Sequence, residues 1–264
     1  MKLRLRHHTA FSYEAAPTHW VQRVHLRAQT GPTQRVLHWS LSVPGEVLSS
    51  IDGLGNALDT FNARPLSASL SICAQGEVDT QDVSIFDEPG ALSPLYFTAG
   101  DGLAQSHPRM NTWAHEVVGQ GRPDAHRLLA LAQAVRERVR YRPGQTAVET
   151  DALEAFDWGW GVCQDQAHVM VAVCRGLGWP ARYVSGYFHD PHAPNLASHA
   201  WVDVCVDLNR QRWASVDVTH ACLSDERHIR LAVGRDYTQC SPTRGVRQGG
   251  GREHMDVNIS ITAI

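Results

Sequence analysis

The chain has 264 residues, 43% of them hydrophobic and 19% charged, with 24 Lys and Arg set against 27 Asp and Glu for a formal net charge of −3. This is ordinary globular composition, enough for one large domain or two modest ones, and so balanced a charge gives no electrostatic case for a nucleic-acid or anionic-membrane partner. No apolar run is long enough to span a bilayer, and residues 1–8 alternate Leu with Lys and Arg where a signal peptide would have an apolar core; a cytoplasmic location is expected.

From residue 1 to about 87 the signals are for strands. Leu3 and Leu5, then Thr9, Phe11 and Tyr13, alternate with polar residues; Val24 and Leu26, Leu37 to Val43 at every second position, and Leu66, Ala68, Leu70 and Ile72 do the same. Turns such as Gly31-Pro32 and Gly53-Leu54-Gly55-Asn56 separate these runs, and an antiparallel β-sandwich or curled sheet is expected. Residues 88–123 are rich in Pro and Gly, with a short helix hinted only from Trp113 to Val118, and read as a connection. Asp124 then opens a helix on which Leu128, Leu131, Val135 and Val139 recur at three- and four-residue spacing, until Arg142-Pro143-Gly144 stops it. An irregular approach over residues 156–160 leads to Gly161-Val162-Cys163, after which small and apolar residues predict a buried helix. Strands follow at 181–187, 198–204, 213–219 and 229–233, then a Gly-rich loop at 245–251 and a last strand at 255–261 that returns to one of the sheets.

The chemistry is expected around Cys163. At a helix start, unpaired N–H groups and the macrodipole favour an anion, and a thiolate is the nucleophilic form of cysteine. Cys174 lies among Val171, Ala172, Val173 and Leu177 and reads as an inert core thiol. The six cysteines (73, 163, 174, 205, 222 and 240) are scattered without CxxC pairs, as suits reduced thiols. A nucleophile needs a base and an orienting group, and His199 at one strand start and Asp217 at another strand's end offer both; a helix followed by antiparallel strands can bring them together. Taken singly, each has an ordinary structural reading: a buried thiol, a satisfied histidine, a turn acid. Asp165, in the first turn of the predicted helix, is expected to support the site by bonding free N–H groups, with Arg182 as a second candidate partner. His168 reads as a core or interface histidine. Trp160, Tyr187 and Trp201 are candidate substrate-binding aromatics.

Gly-Val-Cys-Gln-Asp-Gln-Ala-His at 161–168, Ala-Arg-Tyr-Val-Ser-Gly-Tyr at 181–187, Ser-His-Ala-Trp-Val-Asp-Val at 198–204 and Val-Asp-Val-Thr at 216–219 resemble the bacterial transglutaminase-like superfamily. Many microbial members of that superfamily are taken to be cysteine proteases. The stretches at 229–237 and 241–245 resemble its tail, and those at 3–9 and 55–56 its N-terminal region. The resemblance implies an α+β chain: a β-rich, sandwich-like N-terminal domain over 1–100, then a papain-like transglutaminase core over 101–264. It implies Cys163, His199 and Asp217 as a catalytic triad. The family's usual Asp-Pro-Thr-Asn reads here Asp217-Val218-Thr219-His220, so the acid is kept while the turn after it departs.

Acyl transfer at a carboxamide or peptide bond through a Cys163 thioester is the expected reaction, with Cys163 N–H in the oxyanion hole and a peptide, protein or small amide as substrate. Hydrolysis is favoured; amine-accepting cross-linking and a non-catalytic binding module are the alternatives. Cys163, His168, His189, His192 and His199 lack zinc-finger or HExxH spacing, and no metal or cofactor is expected. The oligomeric state is not legible.

Overall fold

The computed structural model describes residues 1–192 and 198–264. Its first half is antiparallel β: β1 (Lys2–Tyr13), β2 (His19–Val24), β3 (Gln34–Ser42), β4 (Glu46–Ile51), β5 (Ala57–Ala63), β6 (Ser69–Thr80) and β7 (Ile85–Asp87). Along β1 the residues Leu3, Leu5, His7, Thr9, Phe11 and Tyr13 are inward and their neighbours outward, as a half-buried strand requires. Leu66, expected to begin a strand face, is instead fully exposed ahead of β6, whose buried face starts at Leu70 and Ile72.

The helical part comprises α1 (Pro108–Val118), α2 (Ala125–Arg138), β8 (Arg140–Tyr141), α3 (Ala152–Trp158), β9 (Trp160–Gly161) and α4 (Cys163–Gly176). Helix α1 begins five residues before the expected Trp113 because His107 caps it and Pro108 occupies its first turn. Residues 156–158, expected in an irregular approach, end α3, which starts behind a full capping box: the Asp151 side chain accepts from Glu154 N–H and the Glu154 side chain accepts from Asp151 N–H. The chain then runs through β10 (Ala181–Phe188), β11 (Ser198–Asp207), β12 (Arg212–Asp217), β13 (Cys222–Leu223), β14 (His228–Gly234), the short α5 (Tyr237–Cys240), β15 (Thr243–Gln248) and β16 (Glu253–Ala263). Residues 245–248, expected in a Gly-rich loop, belong to β15.

Two four-stranded sheets, ordered β16-β1-β6-β3 and β15-β2-β5-β4, make the N-terminal layers. Between them lie Leu3, Leu5, Phe11, Trp20, Val24, Phe61 and Ile72, with the Trp20 ring edge-on to Phe11 and Phe61. Both sheets therefore contain a strand from the chain's last 22 residues, β15 on β2 and β16 on β1, so the division at residue 100 does not hold for the C-terminal strands. Pairing to the free edges of β1 and β2 outweighs nearness in sequence.

The central sheet runs β13-β12-β11-β10-β14, with β7 also on β12, and all its pairs are antiparallel. Helix α4 packs against β10 and β11 and is itself flanked by α1, α2 and α3. The N-terminal layers cover much of the rest. Gln34 accepts from Arg230 N–H and donates to Arg230 C=O, both at 2.8 Å. Asn56 makes the same two-way bond to Val233, at 2.7 and 2.8 Å. These two amides stand in for a missing neighbour strand along the edge of β14. Tyr187 hydroxyl and His7 Nδ1 add a buried 2.7 Å bond between β10 and β1.

Candidate active site

Three elements converge at one end of the central sheet. Cys163 is the first residue of α4, where the backbone turns from extended Val162 into the helix. Valine has no side-chain acceptor, so the cap comes from inside the helix: Asp165 Oδ2 accepts from Val162 N–H at 2.7 Å and from Thr146 hydroxyl at 2.8 Å. Gly161 makes room for that return, since a Cβ there would lie 2.5 Å from the Asp165 Cβ. Burial drives the Asp165 carboxyl above its ordinary value, against the pull of those two bonds. Arg182 is not its partner; that guanidinium lies on the far part of β10 between Asp203 and Glu88.

His199 opens β11 and pairs with Gly186 of β10. A side chain at 186 would collide with the Trp201 ring and with Ile229 C=O, so glycine lets the strands and the indole close up beside the imidazole. His199 Nε2 donates to Asp217 Oδ2 at 2.7 Å, with the carboxylate fully buried at the end of β12. The other ring nitrogen, Nδ1, is left for Cys163. Burial opposes charging the imidazole, but the Asp217 charge and hydrogen bond, followed by Cys163, outweigh it and hold the pKa up at about 10. Asp217 is held well below the usual carboxylate range: burial works against ionisation and His199, His220 and His228 overcome it. Cys163 Sγ also lies 3.9 Å from Ser198 C=O, a sulfur-to-oxygen contact that ties it to the start of the same strand.

The helix and the acid's turn are joined by Gln166. Buried one turn into α4, it accepts from Thr219 hydroxyl at 2.7 Å and donates to Val139 C=O at 2.8 Å. The turn itself carries Ala221 at φ 51°, a left-handed value costly for a non-glycine residue. Tyr141 stands opposite Gly161 in the β8–β9 pair. Burial, and then the charge of a Cys163 thiolate, push its phenol up.

Sequence reasoning placed Cys163, His199, Asp217 and Asp165 and missed Gln166, Tyr141, His220 and His228. One signal was available for His228: like His199 it is the first or second residue of a strand, and both of those strands pair with the same end of β10. Tyr187 and Trp201 do not line a cleft. They are 0% and 2% exposed: Tyr187 reaches His7 of the N-terminal layers, and Trp201, on the opposite face of the sheet, packs among Val184, Val233 and His228. Trp201 instead stacks beside His199, ring centroids 6.0 Å apart. Trp160 remains partly exposed beside Cys163, with the Arg142 guanidinium 5.7 Å over its ring. His168 is buried in the core and accepts from Tyr237 N–H.

Among the described residues, His199, Asp217 and His228 offer donor atoms within 4.8 Å of one another, a spacing a cation could bridge. Each is committed to a hydrogen bond within the group, and coordination would take His199 Nε2 away from Asp217. Cys163, His189 and His192 do not join it.

Comparison with known proteins fits this geometry. Residues 111–218 match the transglutaminase-like superfamily, and residues 3–79 match the bacterial transglutaminase-like N-terminal region. An uncharacterized Mycobacterium leprae protein is 27% identical over 285 residues, covering 100% of this chain and 99% of its own. An uncharacterized Mycobacterium tuberculosis protein is 28% identical over 291 residues, covering 100% and 92%. The fold is similar to that of a Cytophaga hutchinsonii protein described as a "putative cysteine protease", at 22% identity and TM-score 0.80 over 99% of this chain and 90% of that one. The chain thus carries a transglutaminase-like core joined to a bacterial transglutaminase-like N-terminal region.

Proposed function

We propose that the protein is a cysteine-dependent acyl-transfer enzyme that opens a carboxamide or peptide bond through a thioester on Cys163, with water as the resolving nucleophile. The observation that carries this reading is the buried 2.7 Å bond from His199 Nε2 to Asp217. It fixes one imidazole proton on Nε2 and leaves Nδ1 as the nitrogen that exchanges a proton with Cys163.

In this reading His199 Nδ1 holds the proton taken from the Cys163 thiol while the sulfur attacks the carbonyl carbon. The C–N bond then breaks, and the same proton passes to the leaving amine. His199 next takes a proton from water, the hydroxide attacks the thioester, and acid and free thiol are released. Asp217 steadies the imidazolium in both halves. Cys163 N–H, unpaired at the helix start, and the Tyr141 hydroxyl are the donors available to the oxyanion. Trp160, partly exposed and three residues before Cys163 in the chain, is proposed as an apolar wall for the acyl group. Water is favoured over an amine because it is always present, and the described residues present no feature that would select a lysine acceptor.

The test is intact-mass detection of a thioester on Cys163 with a panel of glutamine peptides, with and without added amine. A Cys163-dependent adduct that decays to deamidated peptide in water supports the reading. Decay only when amine is supplied would make the protein a cross-linking transglutaminase. No adduct with any peptide, together with thiol labelling that fails to single out Cys163, would leave a binding module on this fold.

A further inference from the structure

Asp217 receives more imidazole than the orientation of His199 requires. Its Oδ2 accepts from His199 Nε2 at 2.7 Å, from His220 Nδ1 at 2.7 Å and from His228 Nε2 at 3.0 Å. His220 sits at the rim, about a third exposed and stacked on Phe188. His228 is buried, and it is held from behind. Asp225 main-chain N–H donates to His228 Nδ1 at 3.1 Å, and Arg227 clamps the Asp225 carboxylate through both oxygens. Asp225 Oδ1 also lies 3.2 Å from Nδ1, in place to accept from the ring whenever it is charged. Phe188 and Trp201 wall the His228 ring at 4.9 and 5.2 Å, and the same two rings flank His199. A neutral imidazole whose Nδ1 receives a main-chain N–H carries its proton on Nε2, and a charged one carries a proton there too. In either state the Nε2 proton is donated to Asp217.

Resting on the triad reading above, we infer that His228 is a positioning residue: through Asp217 it holds the carboxylate in line with the His199 Nε2–H, while Asp225 fixes the orientation of His228. The turn after Asp217 begins with Val218, which does not lock φ as a proline would, so the aim of the carboxylate depends on its side-chain donors. The order of contacts is then Cys163, His199, Asp217, His228, Asp225. His220 N–H also donates to Asp217 Oδ1 at 3.2 Å, so loss of His228 leaves the carboxylate held from the His220 side alone and loosens its aim at His199 at the moment the imidazole must take a proton from water. Thioester hydrolysis, which depends on that step, is where the effect falls.

The probe is p-nitrophenyl acetate. Cys163 sulfur attacks its carbonyl, the C–O bond breaks, p-nitrophenolate leaves and an acetyl thioester remains; water then releases acetate and restores the thiol. Burst absorbance reads acylation, and intact mass reads decay of the acetyl group. His228→Leu is expected to slow decay about 10- to 100-fold, the effect of removing a hydrogen bond to a charged group. His228→Gln, whose Nε2–H can replace that of imidazole, should recover most of the rate. The downfield proton resonance of His199 Nε2–H should persist in the Gln variant and be lost in the Leu variant. Where His228→Leu does not fold, as judged by thermal melting, His228→Asn takes its place, since its shorter amide falls short of Asp217. Decay in the Leu or Asn variant within twofold of the parent, with Cys163 acetylated, overturns the positioning role and leaves the triad standing. Absence of acetyl on Cys163 in the parent overturns the triad reading and this inference with it.

Discussion

Replacing Asp217 with Asn tests the site most severely, because it keeps volume and removes one charge. In the folded protein Asp217 is the first group to offset burial in raising His199 from 6.5 to about 10. That net rise, the balance of Asp217 and Cys163 against burial, is worth roughly 5 kcal/mol at ~1.4 kcal/mol per tenfold step. Loss of most of it when the imidazolium forms slows the reaction by about two to four orders of magnitude. The tautomer pushes toward the larger value. If the new amide turns its N–H toward His199 Nε2, the ring proton moves to Nδ1 and the base is lost, an exchange that costs about 10⁴ in a serine-protease triad. We therefore expect a drop of ~10³ to 10⁴ in acyl transfer. Single-turnover release of p-nitrophenolate, followed by mass-detected deacylation, measures it, with circular dichroism confirming the fold. Turnover within tenfold of the parent would refute the argument and show that another group orients His199.

Iodoacetamide in limiting amount at neutral pH should alkylate Cys163 first: Cys174, Cys205 and Cys240 are buried with thiols pushed up, and Cys222 is pushed up to about 11 by burial and then by Asp217. Peptide mapping reads the order, and earlier modification of any of these would count against the nucleophile. Adding Asp217→Asn to His199→Ala should cost little beyond His199→Ala alone, since the acid acts only through the imidazole; multiplicative losses would argue for separate roles. The raised pKa of His199 contributes stability that is fully present below pH 6.5 and lost as pH climbs toward about 10. The urea midpoint should fall across that window, and His199→Gln should flatten the fall. Arg175 is buried and donates to Phe97, Ala104, Ala181 and Arg235 carbonyls, so Arg175→Leu should cost about 3 kcal/mol or more in urea unfolding by stranding those acceptors.

Local signals in the chain determined a good deal. The period-two run of β1 and the three-to-four spacing of α2 follow from which side chains must leave water, and each is readable within a dozen residues; β3 departs, a bulge at Val36–His38 leaving Leu37 exposed. Cys163 at a helix start, followed by histidine and acid at strand ends, was legible because a thiol nucleophile needs those residue types and the matching segments are short and distinctive. Long-range pairing was not. Nothing in residues 243–263 says that β15 and β16 will close onto β2 and β1, because free strand edges accept any partner of suitable register. Burial of Tyr187 depended on the N-terminal layers docking against the sheet, through His7 on Tyr187 and Gln34 and Asn56 on β14, residues far away in sequence. Convergence of His220 and His228 on Asp217 came from strand register and one turn at the end of β12. Sequence names the groups that can react; only the tertiary structure decides which carboxylate three imidazoles share, since hydrogen bonds are settled by distances of tenths of an ångström.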